Sequence, residues 1–136
     1  MEGKEGQSLT QFEATLELRD GYLHAQLVPG FEITPERMNR LWSEIAAACR
    51  RFGVRRVLTE GEVGARRMTT MDSFDNAATA ARLVPGLAMA CVVSGHVADQ
   101  QTEFFKTAGT NLGVRVDFFK SRAEALRWLG VESAST

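Results

Sequence analysis

The sequence predicts an α/β fold in which a five-stranded mixed sheet packs against four helices, with an N-terminal antiparallel hairpin followed by mainly parallel strands. Three features support this prediction: an Asp-Gly turn between two alternating segments, a regular succession of strands and helices after it, and one strand that is apolar throughout. The chain has 136 residues, which suits one domain with a substantial core rather than two. We expect that domain at residues 12–131, between flexible tails at 1–11 and 132–136.

The first two strands form a hairpin around the Asp-Gly turn at residues 20–21, a dipeptide that favours the positive backbone angles of tight hairpins. If Arg19 faces Tyr22, the apolar residues of both strands share one face of the sheet. The same register places His24 opposite Glu17 on a polar face. We therefore expect His24 to be a surface imidazole beside Glu17.

Capping residues and the helical spacing of apolar residues predict four helices. Thr34 is a natural N-cap before Pro35, and Gly53 suits the end of this first helix. Ser121 and Glu124 have the spacing of a capping box at the start of the last helix. In chain order, the predicted helices cover residues 35–52, 71–83, 98–111 and 122–129. The second helix is expected to turn four residues toward the core: Phe74, Ala77, Ala78 and Ala81. The third helix is expected to turn Gln101, Phe104, Phe105 and Ala108 toward it.

Three apolar segments between the helices predict the remaining strands, at residues 55–60, 87–93 and 114–120. The middle segment, LAMACVV, has no polar residue, which is typical of a strand covered on both faces. After the first of these strands, the sequence GEVGARRMTT contains glycines and several charges before the next helix begins. This pattern predicts a loop within the stretch from Val57 to Asp75.

The composition favours a soluble globular protein and disfavours several functional classes. Hydrophobic residues make up 44% of the chain and charged residues 24%, a balance typical of folded rather than disordered proteins. The net charge of −1 lacks the basic excess of proteins that bind nucleic acid through its phosphates. The longest apolar run, Leu87 to Val93, is too short to span a membrane, and the first residues lack an apolar signal region. We expect no nucleic-acid partner, no transmembrane segment and a cytoplasmic location.

The cysteines and histidines argue against a disulfide and against a metal site. Cys49 and Cys91 fall in apolar patterns, where each is best explained as a small buried hydrophobic residue. The two histidines, His24 and His96, are far apart in the sequence and have no neighbouring ligand pattern. We therefore expect no metal site, and we also expect no cofactor.

Several segments together resemble a known family: ITPERMNRLWSEI, VLTEG, LAMACVV and the closing VRVDFFKSRAEALRWLG. They are similar to segments of the small STAS-like proteins, which are bacterial relatives of the anti-sigma-factor antagonists with a fold also related to the CRAL-TRIO lipid carriers. The likeness extends from about Phe12 to Val131. It implies a non-enzymatic domain that binds a protein partner, a nucleotide or a lipid-like ligand.

The same resemblance raises the question of a phosphorylation switch. In anti-sigma-factor antagonists, the phosphorylated serine belongs to a Met-Asp-Ser-Ser-Gly pattern at the start of a helix. Met71, Asp72 and Ser73 match its first three positions. Phe74 replaces the acceptor serine and Asp75 replaces the glycine, which argues against the same switch. The hydroxyl groups that remain as candidate phosphate acceptors also suit helix capping: Ser73, Thr69 and Thr70.

Ligands of parallel α/β sheets usually bind beyond the carboxyl ends of the strands, near helix N-termini. This rule groups seven candidate ligand-binding residues, each placed just after its strand: Glu60, Glu62, Arg66, Arg67, Ser94, His96 and Lys120. Glu60 and Glu62 are either an acid/base pair or two solvated carboxylates. Arg66 and Arg67 either hold a carboxylate, a phosphate or a lipid head group, or keep the loop soluble. His96 is either a proton-transfer or ligand-contact group, or the residue that leads into the third helix.

Three functions follow from these features. The one we expect is a non-enzymatic docking module that forms a homodimer and binds a protein partner, with an exposed apolar patch on the alanine-rich second helix. The alternative is a carrier of a small hydrophobic or anionic, lipid-like ligand in an apolar pocket beneath the second and third helices. The last is a small hydrolase or transferase that uses Glu60, Glu62 and His96. The carrier is expected to have a pocket lined by Phe74, Phe104 and Phe105, with Arg66, Arg67 or His96 at its mouth.

Overall fold

The computed structural model describes residues 8–10, 13–96 and 98–131, and it confirms an α/β fold with a mixed sheet and four helices. The predicted tail at 132–136 lies outside the described residues. The elements in chain order are β1 (Ser8–Thr10), β2 (Ala14–Arg19), β3 (Tyr22–Leu27), β4 (Phe31–Ile33), α1 (Pro35–Phe52), β5 (Arg56–Arg66), α2 (Thr70–Leu83), β6 (Ala88–Ser94), α3 (Gln100–Asn111), β7 (Arg115–Phe118) and α4 (Arg122–Leu129).

The sheet has the strand order β1-β2-β3-β5-β6-β7, and β4 pairs separately with β5. Strand β2 is antiparallel to both β1 and β3, whereas β3, β4 and β6 pair with β5, and β7 pairs with β6, in the parallel direction. The predicted hairpin register is confirmed, because Arg19 lies opposite Tyr22 and Glu17 opposite His24. The antiparallel hairpin followed by parallel strands is therefore present as predicted.

The prediction of five strands is wrong, because the described residues contain seven. The two additional strands, β1 and β4, have only three residues each, too few for an alternating pattern to be visible in the sequence. Strand β1 pairs with β2 although it falls within the predicted flexible tail at 1–11. The rest of that predicted tail lies outside the described residues.

Strand β5 is longer than predicted and replaces most of the predicted loop. Its first half pairs with β3 as far as Glu60, and its second half pairs with β4 from Val63 to Arg66. Gly61 marks the change of neighbour, and a Cβ at this position would lie 2.9 Å from the Cβ of Leu27. The glycines and charges of this segment indicated a loop, but two successive partner strands satisfy its backbone groups.

The core is divided between the two faces of the sheet. Helix α1 contributes Trp42 to the larger cluster, which also contains Met89 from β6 and residues of α2 and α3. Helix α4 contributes Leu126 to the smaller cluster on the other face, which contains Ala90 from β6. Alternate residues of β6 thus enter different clusters, which confirms that this apolar strand is covered on both faces.

The predicted inward positions of Phe74 in α2 and Phe104 in α3 are wrong, whereas Ala77 and Ala108 are buried as predicted. In α2 the buried residues are Ser73, Ala77 and Ala80, and Phe74 is 40% exposed. Phe104 of α3 is also 40% exposed. The buried stripe of α2 is therefore displaced by one residue, a rotation of about 100°. The buried positions of α2 thus carry small side chains, and the large rings of Phe74 and Phe104 lie at the periphery.

Gly95, directly after β6, has a φ of +82°, and a Cβ there would lie 2.2 Å from the carbonyl oxygen of Val63. We expect Gly95→Ala to lower the free energy of unfolding by at least about 2 kcal/mol, because it adds a steric overlap to the left-handed backbone conformation. The control is Gly113→Ala, where φ is +95° but no atom lies within 4 Å of the added Cβ. Equal losses for the two variants in chemical denaturation would contradict this explanation.

Candidate functional site

The seven predicted ligand-binding residues do not form one site, because the sheet separates them. Glu60 lies beneath α4 and accepts hydrogen bonds from Arg122. Arg66 and His96 border a cavity on the opposite face, between the sheet and helices α1, α2 and α3. The rule based on strand ends groups residues along one edge of the sheet, but it carries no information about which face each side chain takes.

The cavity has a volume of about 120 Å³ and mainly apolar walls. Alternation along the strands places Val63, Cys91 and Val116 on the face that it occupies. Phe105 of α3 borders it as predicted, whereas the exposed rings of Phe74 and Phe104 do not. Further wall residues from the sheet and from the helices are Leu27, Phe31, Leu41, Trp42, Thr59, Ser73, Asn76, Met89 and Val93.

Most polar groups in the cavity wall are already paired within the protein. The indole N–H of Trp42 donates to Oδ1 of Asn76, which ties α1 to α2. The hydroxyl group of Thr59 donates to the sulfur atom of Met89 at 3.2 Å. These bonds leave the interior wall with few free polar atoms, so the cavity is suited to apolar contents.

Gln101 is the exception. Its Nε2 donates to the backbone oxygen of Met68 at 3.0 Å, which ties the start of α3 to the segment between β5 and α2. Its Oε1 is the only buried side-chain N or O atom without a hydrogen-bond partner among the residues that the structure describes. An acceptor left buried in this way destabilises a fold by about 1–3 kcal/mol. The sequence indicated that Gln101 faces inward, but it could not show that one end of the amide is unpaired.

The charged groups near the cavity mouth are paired. Arg66 contacts Asp99 through two hydrogen bonds of 3.2 and 2.6 Å, and Asp99 also accepts from the backbone N–H of Thr102 as the N-cap of α3. The hydrogen bonds from Arg66 hold the pKa of Asp99 well below its usual range. Arg67 does not border the cavity and lies 3.7 Å from Glu32. The two arginines therefore do not act as one anion-binding pair.

His96 lies between the cavity and a surface groove at the ends of β6 and β7. Its ring stacks on Phe118 with the centroids 4.0 Å apart, and both residues border both spaces. Burial lowers the pKa of His96, so the imidazole is neutral at pH 7. Ser94 and Lys120 border the groove, which has a volume of about 590 Å³, and Glu62 is exposed outside it.

A buried polar cluster on the α4 face was not predicted. His24 is only 5% exposed, and its Nε2 lies 2.7 Å from Oε1 of Glu60. Arg122, the first residue of α4, donates to both oxygens of the same carboxylate at 2.9 and 3.2 Å. The prediction of a surface imidazole is wrong because α4 covers this face of the hairpin, which the local sequence of β3 could not indicate.

The protonation states in this cluster follow from its contacts. Burial lowers the pKa of His24, although the hydrogen bond to Glu60 acts in the opposite direction. Burial alone would raise the pKa of Glu60, but the hydrogen bonds from Arg122 and His24 outweigh it and the pKa is lowered. At neutral pH the arrangement is a neutral imidazole donating to a carboxylate that is paired with a guanidinium group.

The three candidate phosphate acceptors have different environments. Ser73 is buried at the cavity wall, so its hydroxyl group is inaccessible to a kinase in the folded chain. Thr69 is the N-cap of α2 and forms a complete capping box with Asp72, as the alternative explanation predicted. Thr70 is exposed in the first turn of the helix.

The cysteines are free and buried, as predicted. Burial raises the pKa of Cys49 to about 11 and that of Cys91 to about 12. Within the described ranges, no group of three or more His, Cys, Asp and Glu residues is arranged to hold a metal ion. None of the helices in those ranges is sufficiently long and apolar to cross a membrane.

Neither a family model nor a curated protein matches this chain. The resemblance to the STAS-like proteins therefore stays a prediction that rests on the segments quoted above.

We expect the free energy of unfolding to fall as the pH is lowered below about 6.5. Burial lowers the pKa of His24 in the folded state, so below this pH the unfolded chain binds a proton at His24 more readily than the folded chain does. His24→Gln keeps a donor near Glu60 but cannot titrate, so the variant should lose less stability than the wild type between about pH 7.5 and 5.5. Urea denaturation at each pH measures the difference. His96 is present in both proteins, so its titration cancels, and parallel pH profiles would refute the prediction.

Proposed function

We propose that the protein is a non-enzymatic domain that binds a small, mainly apolar molecule in the cavity between the sheet and helices α1, α2 and α3. The observation that carries this proposal is the cavity itself, with its apolar walls and its paired groups at the mouth. This is the carrier function that the sequence offered as an alternative.

The volume of the cavity restricts the size of the ligand. A cavity of roughly 150 Å³ in another protein holds one benzene molecule, and typical sites for drug-sized ligands have about 300–1,000 Å³. At about 120 Å³, the space suits a single ring or a short chain and not a complete lipid.

We expect toluene, a probe of suitable size, to bind the wild-type protein and to raise its free energy of unfolding by about 1.4 kcal/mol at ten times its Kd. Val93→Phe should abolish this gain, because Val93 lines the cavity and a larger side chain fills it. The matched control is Val92→Phe, since Val92 packs against the cluster on the opposite face. Denaturation with and without toluene measures the gain, and binding by Val93→Phe or none by the wild type would disprove the proposal.

The docking function expected from the resemblance has support from a different part of the surface. Met71 is 67% exposed, and the rings of Phe74 and Phe104 lie 6.5 Å apart beside it. The expected patch of alanines does not exist as such, because Ala77 and Ala80 are buried. We propose the Met71-Phe74-Phe104 patch as the contact between two copies of the chain, since a net charge of −1 opposes self-association only weakly.

If the patch joins two copies, Phe74→Gln should raise the dimer dissociation constant at least about tenfold, as expected for an aromatic residue central to an interface. Leu112→Gln is the control, because Leu112 is similarly exposed but lies at the other end of α3. Sedimentation equilibrium measures both constants. A wild-type protein that stays monomeric at high concentration excludes this second function and leaves the first untouched.

A further inference from the structure

The unpaired oxygen of Gln101 identifies the chemical class of the cavity ligand. We propose that Gln101 Oε1 accepts a hydrogen bond from the ligand, and that the preferred ligand is a small neutral ring compound carrying one O–H donor, as in a phenol. This inference rests on the proposed cavity function and adds the recognition group to it.

The orientation of the amide is fixed by its other end. Nε2 donates to the backbone oxygen of Met68 at 3.0 Å, and a carbonyl oxygen can pair only with a donor. Rotating the amide would therefore lose this bond and place two oxygens together. The amide therefore keeps this orientation. Oε1 is buried, and no described group donates a hydrogen bond to it.

Two donors of the cavity wall are already committed to other acceptors. The hydroxyl hydrogen of Thr59 is directed to the sulfur atom of Met89, and the indole N–H of Trp42 is directed to Asn76. Gln101 itself lines the cavity. A molecule inside the cavity is therefore the natural source of a donor for Oε1.

The charges argue for a neutral ligand and against the anionic one that the sequence allowed. Arg66 is the one formally charged side chain among the described residues that line the cavity, and both of its terminal nitrogens contact Asp99. A carboxylate ligand would have to displace Asp99 from this bidentate pair. It would also bring acceptor oxygens toward Oε1 of Gln101, which already lacks a donor.

The test compares phenol with toluene, which has the same number of heavy atoms and nearly the same shape but no donor, and with benzoate as the anion. Their Kd values are measured by NMR titration for the wild type, for Gln101→Met and for the control Gln100→Met, whose residue precedes Gln101 but does not line the cavity. We expect Gln101→Met to raise the ratio of the phenol Kd to the toluene Kd roughly tenfold. Gln100→Met should leave this ratio unchanged.

A second readout needs no variant. The ¹³C signal of the Gln101 side-chain carbonyl should shift when the wild type is titrated with phenol, and should move much less with toluene. Toluene binding combined with an unchanged ratio in Gln101→Met, or benzoate binding more tightly than phenol, would overturn this inference and leave the cavity function standing. Failure of both phenol and toluene to bind the wild type would overturn the cavity function together with the inference.

Discussion

The continuity of strand β5 through eleven residues is the constraint on which the arrangement of this protein depends. Because β5 extends beyond β3, its second half requires another parallel neighbour, which the short strand β4 supplies. Side chains alternate along this strand, so Glu60 faces the helix α4 side while Thr59 and Val63 face the cavity. The buried polar cluster and the cavity thus lie on the two faces of one long strand.

The cavity and the exposed aromatic patch also share a structural origin. Helix α2 presents Ser73 and Ala77 to the interior, and side chains of this size leave space between the helix and the sheet. The same rotation carries Phe74 outward, where it meets Phe104 of α3. Had Phe74 been turned inward, its ring would have filled the interior and removed the surface patch. One choice of helix face therefore underlies both proposed functions.

The sequence predicted the elements whose signals are local and periodic, and it failed where a distant segment decides the outcome. The hairpin register followed from alternation around residues 20–21, and the caps Thr34 and Ser121 marked two helix starts. Strands of three residues have no detectable period, and the burial of His24 depends on a helix about a hundred residues later. For the candidate site, Arg66 and His96 were placed correctly at the cavity, whereas Glu60 belongs to the opposite face. Strand ends can be located from sequence, but the face on which a side chain lies depends on the register of the entire strand.

Cys91 gives the cavity a chemical property that its shape does not. The thiol borders the space, and because burial raises its pKa to about 12, it carries a proton at neutral pH. Only the thiolate is a strong nucleophile, so the protonated sulfur atom is a poor nucleophile toward a molecule in the cavity. Cys91 therefore serves the cavity wall as an apolar contact, and covalent reaction there would require an ionisation that the surroundings oppose.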